Sequence, residues 1–235
     1  MSKGKILILL TSHNQLGDTG KATGFHYEEL TTPYQIFTEA GYEVLLASVA
    51  GGEPPHDPGS LKDSLEDNPS SVVAFLKDNF ASNSLKHTRA LNEILEIGSD
   101  EFDGLYLPGG HGTMWDFPNN PQLAQLIRDL LEQGKPVAAV CHGPAGLVGV
   151  KDSDGKAIVD GRRVNCFTDA EEAEAGKDEI VPFLLESALR EAGAIFENSG
   201  KFEAHVCEDG GLLTGQNPAS AERLARAMLD YLRQS

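Results

Sequence analysis

The stretch Lys5–Ser48 opens with KILILL (residues 5–10) and closes with EVLLAS (residues 43–48), and what separates them decides the fold class. Each end is a short apolar run of strand length. Between them lie a polar, glycine-containing loop and a helix-patterned segment, Phe25–Ala40, that stops at Gly41. Strand, helix, strand is a crossover unit, the building block of a mostly parallel sheet. The alternation continues. Helices are expected around Ser71–Asn79 and Thr88–Leu95, then the strand Gly104–Leu107, the helix Pro121–Glu132 ended by Gly134, and the strand Pro136–Val140. A short helix should follow Cys141. Ser153-Asp154-Gly155 and Asp160-Gly161 predict hairpin-like strands within Asp152–Phe167. The helix Asp178–Glu191, capped by Gly193, precedes strand-like pieces at Ala194–Glu197, His205–Cys207 and Gly211–Thr214, and Ala219–Leu232 is a closing amphipathic helix. The expectation is one α/β domain over residues 1–235, its sheet sandwiched by helices, with an inserted elaboration near 51–97 that begins in the Pro/Gly-rich loop GGEPPHDPG.

Composition narrows the function classes. With 19 Lys+Arg against 36 Asp+Glu the net charge is −17, which repels phosphate backbones and anionic membrane surfaces, so neither nucleic acid nor membrane is an expected partner. The apolar run at the N-terminus is too short for a signal peptide core followed by a cleavage site, and no run reaches bilayer length. Cys141, Cys166 and Cys207 are too few and too scattered for a disulfide framework or a closed zinc site, which points to a reducing compartment, most simply the cytoplasm. His13, His26 and His56 sit in loops, where a solvated histidine is commoner than a metal ligand. No metal or organic cofactor is expected.

Reacting groups in open α/β sheets gather at the carboxyl ends of strands. Four loops there carry chemistry. Cys141-His142-Gly143-Pro144 makes a strand-to-helix turn that would expose one side chain, and a thiol there would lie beside an imidazole and near a helix N-terminus that favours the thiolate. Read from spacing alone, Cys141 is either such a nucleophile or a small buried thiol. Cys166 and Cys207, each within a predicted strand, read as buried thiols. In Pro108-Gly109-Gly110-His111-Gly112 the glycines leave backbone N–H groups free to converge on an oxyanion. Glu28 and Glu29 open a helix, and consecutive positions send one to the sheet and the other to solvent. Phe167-Thr168-Asp169 with Glu171 and Glu172 reads as a helix cap with acids in its first turn.

Taken together, Ala138–Pro144, Pro108–Gly112 and Gly215-Gln216-Asn217-Pro218-Ala219-Ser220 resemble the PfpI-like branch of the class I glutamine amidotransferase-like superfamily. Within it, Thr23-Gly24, Glu29, Pro33, Asp116, Pro118 and Phe167-Thr168-Asp169 with Glu172 resemble the glyoxalase III group, also called D-lactate dehydratases or stress chaperones. The resemblance covers nearly the whole chain. It implies a flavodoxin-like fold with Cys141 on a nucleophile elbow as catalytic nucleophile, His142 beside it and Glu172 completing the triad. Glu171 is the alternative acid, because a variable hairpin separates the two motifs. Glu29 is implied as the carboxyl group at the sulfur, and Gly110, His111 and His142 as the oxyanion and substrate contacts.

The implied reaction is glutathione-independent conversion of methylglyoxal to lactate, a lyase activity on a small 2-oxoaldehyde. A true glutamine amidotransferase would need a catalytic His and Glu together near the C-terminus, but His205 is followed by Val206. A peptidase shares the elbow. Deglycation of glycated protein and a holdase that binds unfolded protein are the alternatives from the same superfamily, and a homodimer is implied by resemblance.

Overall fold

A computed structural model describes residues 2–234. Its strands are β1 (Lys5–Leu10), β2 (Glu43–Ser48), β3 (Arg89–Ala90), β4 (Gly104–Leu107), β5 (Val137–Val140), β6 (Arg163–Val164), β7 (Ile195–Phe196), β8 (Val206–Asp209) and β9 (Leu212–Gly215). The α-helices are α1 (Tyr27–Glu39), α2 (Ser70–Lys77), α3 (Asn79–Lys86), α4 (Leu91–Ile97), α5 (Thr113–Asp116), α6 (Pro121–Glu132), α7 (Asp169–Glu174), α8 (Leu185–Glu191) and α9 (Ala221–Gln234). Seven strands form one sheet in the order β3-β2-β1-β4-β5-β9-β8, parallel throughout except for the antiparallel edge pair β8–β9.

Side-chain alternation along β1 builds both layers. Ile6, Ile8 and Leu10 join Leu30 and Phe37 of α1 and Leu224 and Met228 of α9. Leu7 and Leu9 face the other way, to Ile94 of α4 and Leu123, Leu126, Ile127 and Leu130 of α6. Strands buried on both faces read as unbroken apolar runs, which is why KILILL, GLYL and VAAV carry no polar alternation. The chain direction reverses its lateral course between β1 and β4, and the loops at the carboxyl ends of β1, β4 and β5 open at that switch point.

The expected architecture is present, with local differences. Asp152–Phe167 is not a strand hairpin. Lys151 and Ala157 make a single antiparallel bridge, and β6 instead pairs in parallel with β7 as a separate two-stranded sheet. Glycine turns identify chain reversals but not the partner of the strand that follows. Cys166 accordingly lies outside any strand, although fully buried, while Cys207 lies in β8. The helix expected from Asp178 begins at Leu185, because Pro182 falls in the intervening turns and has no N–H to continue a helix. Residues 51–97 hold three α-helices rather than two. Asp78 caps the unexpected α3, its carboxylate accepting from the N–H groups of Phe80 and Ala81, and residues Arg89–Ala90 form the edge strand β3 ahead of α4. No described helix is long and apolar enough to cross a membrane.

Candidate active site

Cys141 follows β5 directly, and its backbone is in the left-handed region, with φ +59°. For a residue with a side chain that costs about 1–3 kcal/mol, so neighbouring bonds must hold it. They do: Cys141 N–H donates to Gly215 O of β9 at 2.8 Å, and Phe167 N–H donates to Cys141 O at 2.9 Å. The resulting elbow turns the sulfur toward His142, whose Nδ1 lies 3.3 Å from Sγ. The chain beyond is a five-residue 3-10 helix, Gly143–Leu147, so the helix N-terminus expected to favour the thiolate is scarcely developed. Burial and then the Glu29 carboxyl push the Cys141 thiol well above its ordinary pKa. Activation of this thiol therefore has to come from a proton acceptor in contact with it, not from a helix end.

His142 Nε2 lies 2.6 Å from Glu172 Oε2, and Glu172 Oε1 lies 2.7 Å from His111 Nε2. One carboxylate thus serves two imidazoles, whose ring centroids are 4.1 Å apart. Burial alone would raise Glu172, but the hydrogen bonds from His111 and His142 outweigh it and hold the carboxyl well below the usual range. Burial lowers His111 to about 4, so its ring is neutral and bonds the carboxylate through N–H. Phe167 packs on His142 with centroids 4.7 Å apart. Thr113 Oγ1 donates to His142 O at 3.0 Å and Gly110 O at 2.8 Å, tying the elbow to the glycine loop after β4.

Glu29 enters from the first turn of α1. It is wholly buried; Gly109 N–H donates to its Oε2 at 2.6 Å, and Oε1 meets no N–H or O–H donor. The carboxyl lies near enough to the Cys141 thiol for each group to perturb the other. Burial raises Glu29 to about 8, against the pull of the Gly109 and Cys141 hydrogen bonds. Two anions in contact in a dry pocket are costly, so at neutral pH the pair holds no more than one negative charge. Gly109 makes this approach feasible, since a Cβ there would sit 2.6 Å from His142 N, 2.7 Å from Val140 O and 2.8 Å from Glu29 Oε2.

Glu171 and Glu172, adjacent in sequence, have separate environments. Glu171 Oε2 accepts from Thr168 N–H and Oγ1–H, and Oε1 accepts from Phe202 N–H, Gln216 Nε2 and Asn217 Nδ2, so its acceptor capacity is consumed away from the sulfur. The cap signature at Thr168 thus organises the turn that aims Glu172. Asp116 plays a similar part for the loop after β1, accepting from Thr11 Oγ1–H and Ser12 N–H. Glu28 lines a surface groove with Arg226 and Pro218.

His111, Glu172 and His142 are brought together as expected residues, but His111 contributes its ring to Glu172 rather than leaving it free for a substrate. Lys177, which nothing in the sequence reading singled out, has Nζ 3.2 Å from His111 Nδ1. Its legible signal was Gly176, a helix-ending glycine that returns the chain toward Glu172.

Two groups of potential metal ligands occur among the described residues, His111–His142–Glu172 and Glu197–His205–Cys207. The former is a hydrogen-bonded chain with separations of 2.6 and 2.7 Å, whereas donors sharing a tetrahedral ion at 2.0–2.1 Å sit about 3.3 Å apart. The latter lies by the edge strand with the Arg163 cation beside Cys207. His13 stacks on Trp115, and His56 packs against Phe25 and Tyr27; with His26 they form no such group.

Comparison with known proteins agrees in sequence and in shape. A glutathione-independent glyoxalase of Schizosaccharomyces pombe is 33% identical over 237 residues, covering 97% of this chain and 96% of that protein. The crystal structure of glyoxalase III from Candida albicans superimposes with a TM-score of 0.84 at 28% identity, covering 97% of each chain. The Rapid Encystment Protein 24 KDa of Francisella tularensis superimposes with a TM-score of 0.91 at 34% identity, covering 97% of this chain and 99% of that one. The model of the DJ-1/PfpI family matches residues 21–231, and with that agreement of fold and full-length relatives the chain belongs to the DJ-1/PfpI family.

Proposed function

We propose that the protein is a glutathione-independent glyoxalase that converts methylglyoxal, a small 2-oxoaldehyde, to lactate with Cys141 as nucleophile. The observation that carries this is the chain of contacts that ends on one sulfur, His142 Nδ1 at 3.3 Å and Glu172 behind His142 at 2.6 Å, with the wholly buried Glu29 carboxyl near enough to raise the thiol. Full-length relatives that bear the glyoxalase name support the same reading.

In this reading His142 Nδ1 takes the thiol proton as sulfur bonds to the aldehyde carbon, and the proton passes to the aldehyde oxygen, giving a hemithioacetal. The backbone N–H groups of Gly110 and His142 steady that oxygen while it is charged. Sulfur bonded to carbon can no longer ionise, so the one negative charge the pair can hold rests on the Glu29 carboxylate. Glu29 then removes the hydrogen from the former aldehyde carbon, forming an enediol, and returns a proton to the neighbouring carbon. The hydroxyl proton of the first carbon moves to the oxygen of the second. This leaves a thioester of lactate, and water cleaves it, releasing lactate and restoring the thiol. Overall, one methylglyoxal and one water give one lactic acid, without external oxidant or reductant.

Two finer expectations belong to the same reading. Three free thiols suit a reducing cytoplasm, and homodimeric assembly follows the resemblance. The test is incubation of the purified protein with methylglyoxal in the absence of glutathione, following substrate loss and lactate together. Equimolar lactate is expected; loss of methylglyoxal without lactate, or turnover retained in Cys141→Ala, overturns the proposal.

A further inference from the structure

We propose that Lys177 is a positioning residue that fixes which nitrogen of His142 faces Cys141, acting through His111 and Glu172. The proposal rests on the reading that Cys141, His142 and Glu172 form the reacting centre, but its primary observable does not depend on the reaction.

The chain of contacts is continuous: Lys177 Nζ to His111 Nδ1 at 3.2 Å, His111 Nε2 to Glu172 Oε1 at 2.7 Å, Glu172 Oε2 to His142 Nε2 at 2.6 Å, and His142 Nδ1 to Cys141 Sγ at 3.3 Å. Each link restricts the next. A lysine ammonium has donors and no acceptor, so His111 Nδ1 must present its lone pair. The neutral ring then carries its hydrogen on Nε2 and donates it to Glu172 Oε1. An ionised carboxylate only accepts, so its second oxygen takes the Nε2 hydrogen of His142. What remains for the sulfur is the bare Nδ1 of His142, the atom that can receive the thiol proton.

The fold delivers Lys177 to this point through the end of α7. Gly176, at φ +64°, closes the helix: Gly176 N–H donates to Ala173 O, and Lys177 N–H donates back to Glu172 O at 3.1 Å. The residue that binds both imidazoles is therefore joined by a backbone hydrogen bond to the one that sets the register. Lys177 also lines a cavity of about 460 Å³ with Leu16, Ala22, Asp57 and Ile180, which places its stem between the histidine cluster and the outer surface.

The experiment is nitrogen-15 NMR of the imidazoles in the resting full-length protein, where a bare ring nitrogen resonates well downfield of a protonated one. In the wild type, His111 and His142 should each show a bare Nδ1 and a protonated Nε2. Lys177→Met, which keeps the stem and removes the donors, should let His111 Nδ1 take up a proton while Nε2 stays on Glu172, and the charge added beside Glu172 should move the His142 Nδ1 signal. Lys177→Arg should restore the wild-type pattern. Turnover in Lys177→Met should drop about ten- to a hundredfold at unchanged KM, the range typical of groups that orient a ligating or reacting side chain. A proton on His111 Nδ1 in the wild type, or unchanged rings in Lys177→Met, overturns the proposal. If the register changes as described but the wild type makes no lactate, the glyoxalase reading fails and this one stands.

Discussion

Glu172 presents Oε2 to His142 Nε2 at 2.6 Å, and the two side chains are buried together behind the sulfur. The neighbouring Glu171 is as deeply buried but spends its oxygens on Thr168, Phe202, Gln216 and Asn217. The two carboxylates should separate by experiment. Glu171→Gln turns an amide toward groups that need an acceptor and should destabilise the fold by about 1–3 kcal/mol or more. Glu172→Gln should remain folded yet lose most turnover, since one amide cannot accept from two imidazoles. Urea melts and lactate assays on both variants check this, and the reverse pattern would exchange the two assignments.

A second prediction concerns the thiols. All three are buried, and Cys141 alone has an imidazole nitrogen in hydrogen-bond contact with its sulfur. Cys141→Ala and Cys141→Ser should keep the fold, because Ala or Ser fills the same elbow, and should lower turnover by at least about a thousandfold. Suppression of aggregation by the protein, if it has such an activity, should survive Cys141→Ala. Circular dichroism, lactate release and a light-scattering assay on the same preparations decide the matter.

Stability should fall with rising pH in a defined window. Burial raises Glu29 from 4.5 to about 8, so between those values the folded chain holds a proton that the unfolded chain has released. That contribution is fully present below pH 4.5 and is lost as pH rises through about 8. His111 and His26, lowered from 6.5 to about 4, act in the opposite sense: their contribution is present above 6.5 and lost as pH falls. Asp116, raised to about 6, and the unfolded histidines have given up most of their protons only above about pH 7. From about pH 7 to 8 the Glu29 effect is the largest, with a slope of less than about 1.4 kcal/mol per pH unit. Urea midpoints across that range should decline in the wild type and flatten in Glu29→Gln; parallel lines would remove Glu29 as the cause.

The parts of this molecule legible in its sequence are those set by local chemistry. Unbroken apolar runs at 5–10, 104–107 and 137–140 identify strands covered on both faces, and the Cys141-His142-Gly143 turn lies at a strand end where an α/β sheet places its reacting groups. What could not be read depends on contacts distant in the chain. The partner of β6 lies 32 residues onward, at Ile195. Burial of Glu29 and Cys141, which raises both, arises from packing that no spacing encodes, and the helix N-terminus that spacing suggests beside Cys141 is only a short 3-10 turn. Lys177 reaches His111 across 66 positions, and only the backbone turn at Gly176 hints at it.

The last prediction separates reactivity from turnover at Glu29. In Glu29→Gln the amide oxygen can still accept the Gly109 N–H, so the first turn of α1 stays anchored, while the amide no longer exchanges a proton. Removing the carboxyl group also removes the second-largest influence holding the Cys141 thiol up, after burial. The thiolate fraction at neutral pH should therefore rise, and iodoacetamide should label Cys141 at least as fast as in the wild type. Lactate formation should nonetheless fall by about two to four orders of magnitude, the usual contribution of a positioned acid–base group. Glu28→Gln is the matched control, because Glu28 lies one position along α1 and lines the outer groove with Arg226. Peptide mapping of the labelled thiols beside initial rates for the three proteins makes the comparison. Near-wild-type lactate formation in Glu29→Gln would leave His142 as the proton relay, whereas equal loss in both variants would show that the α1 turn, and not the Glu29 carboxyl, is what the reaction requires.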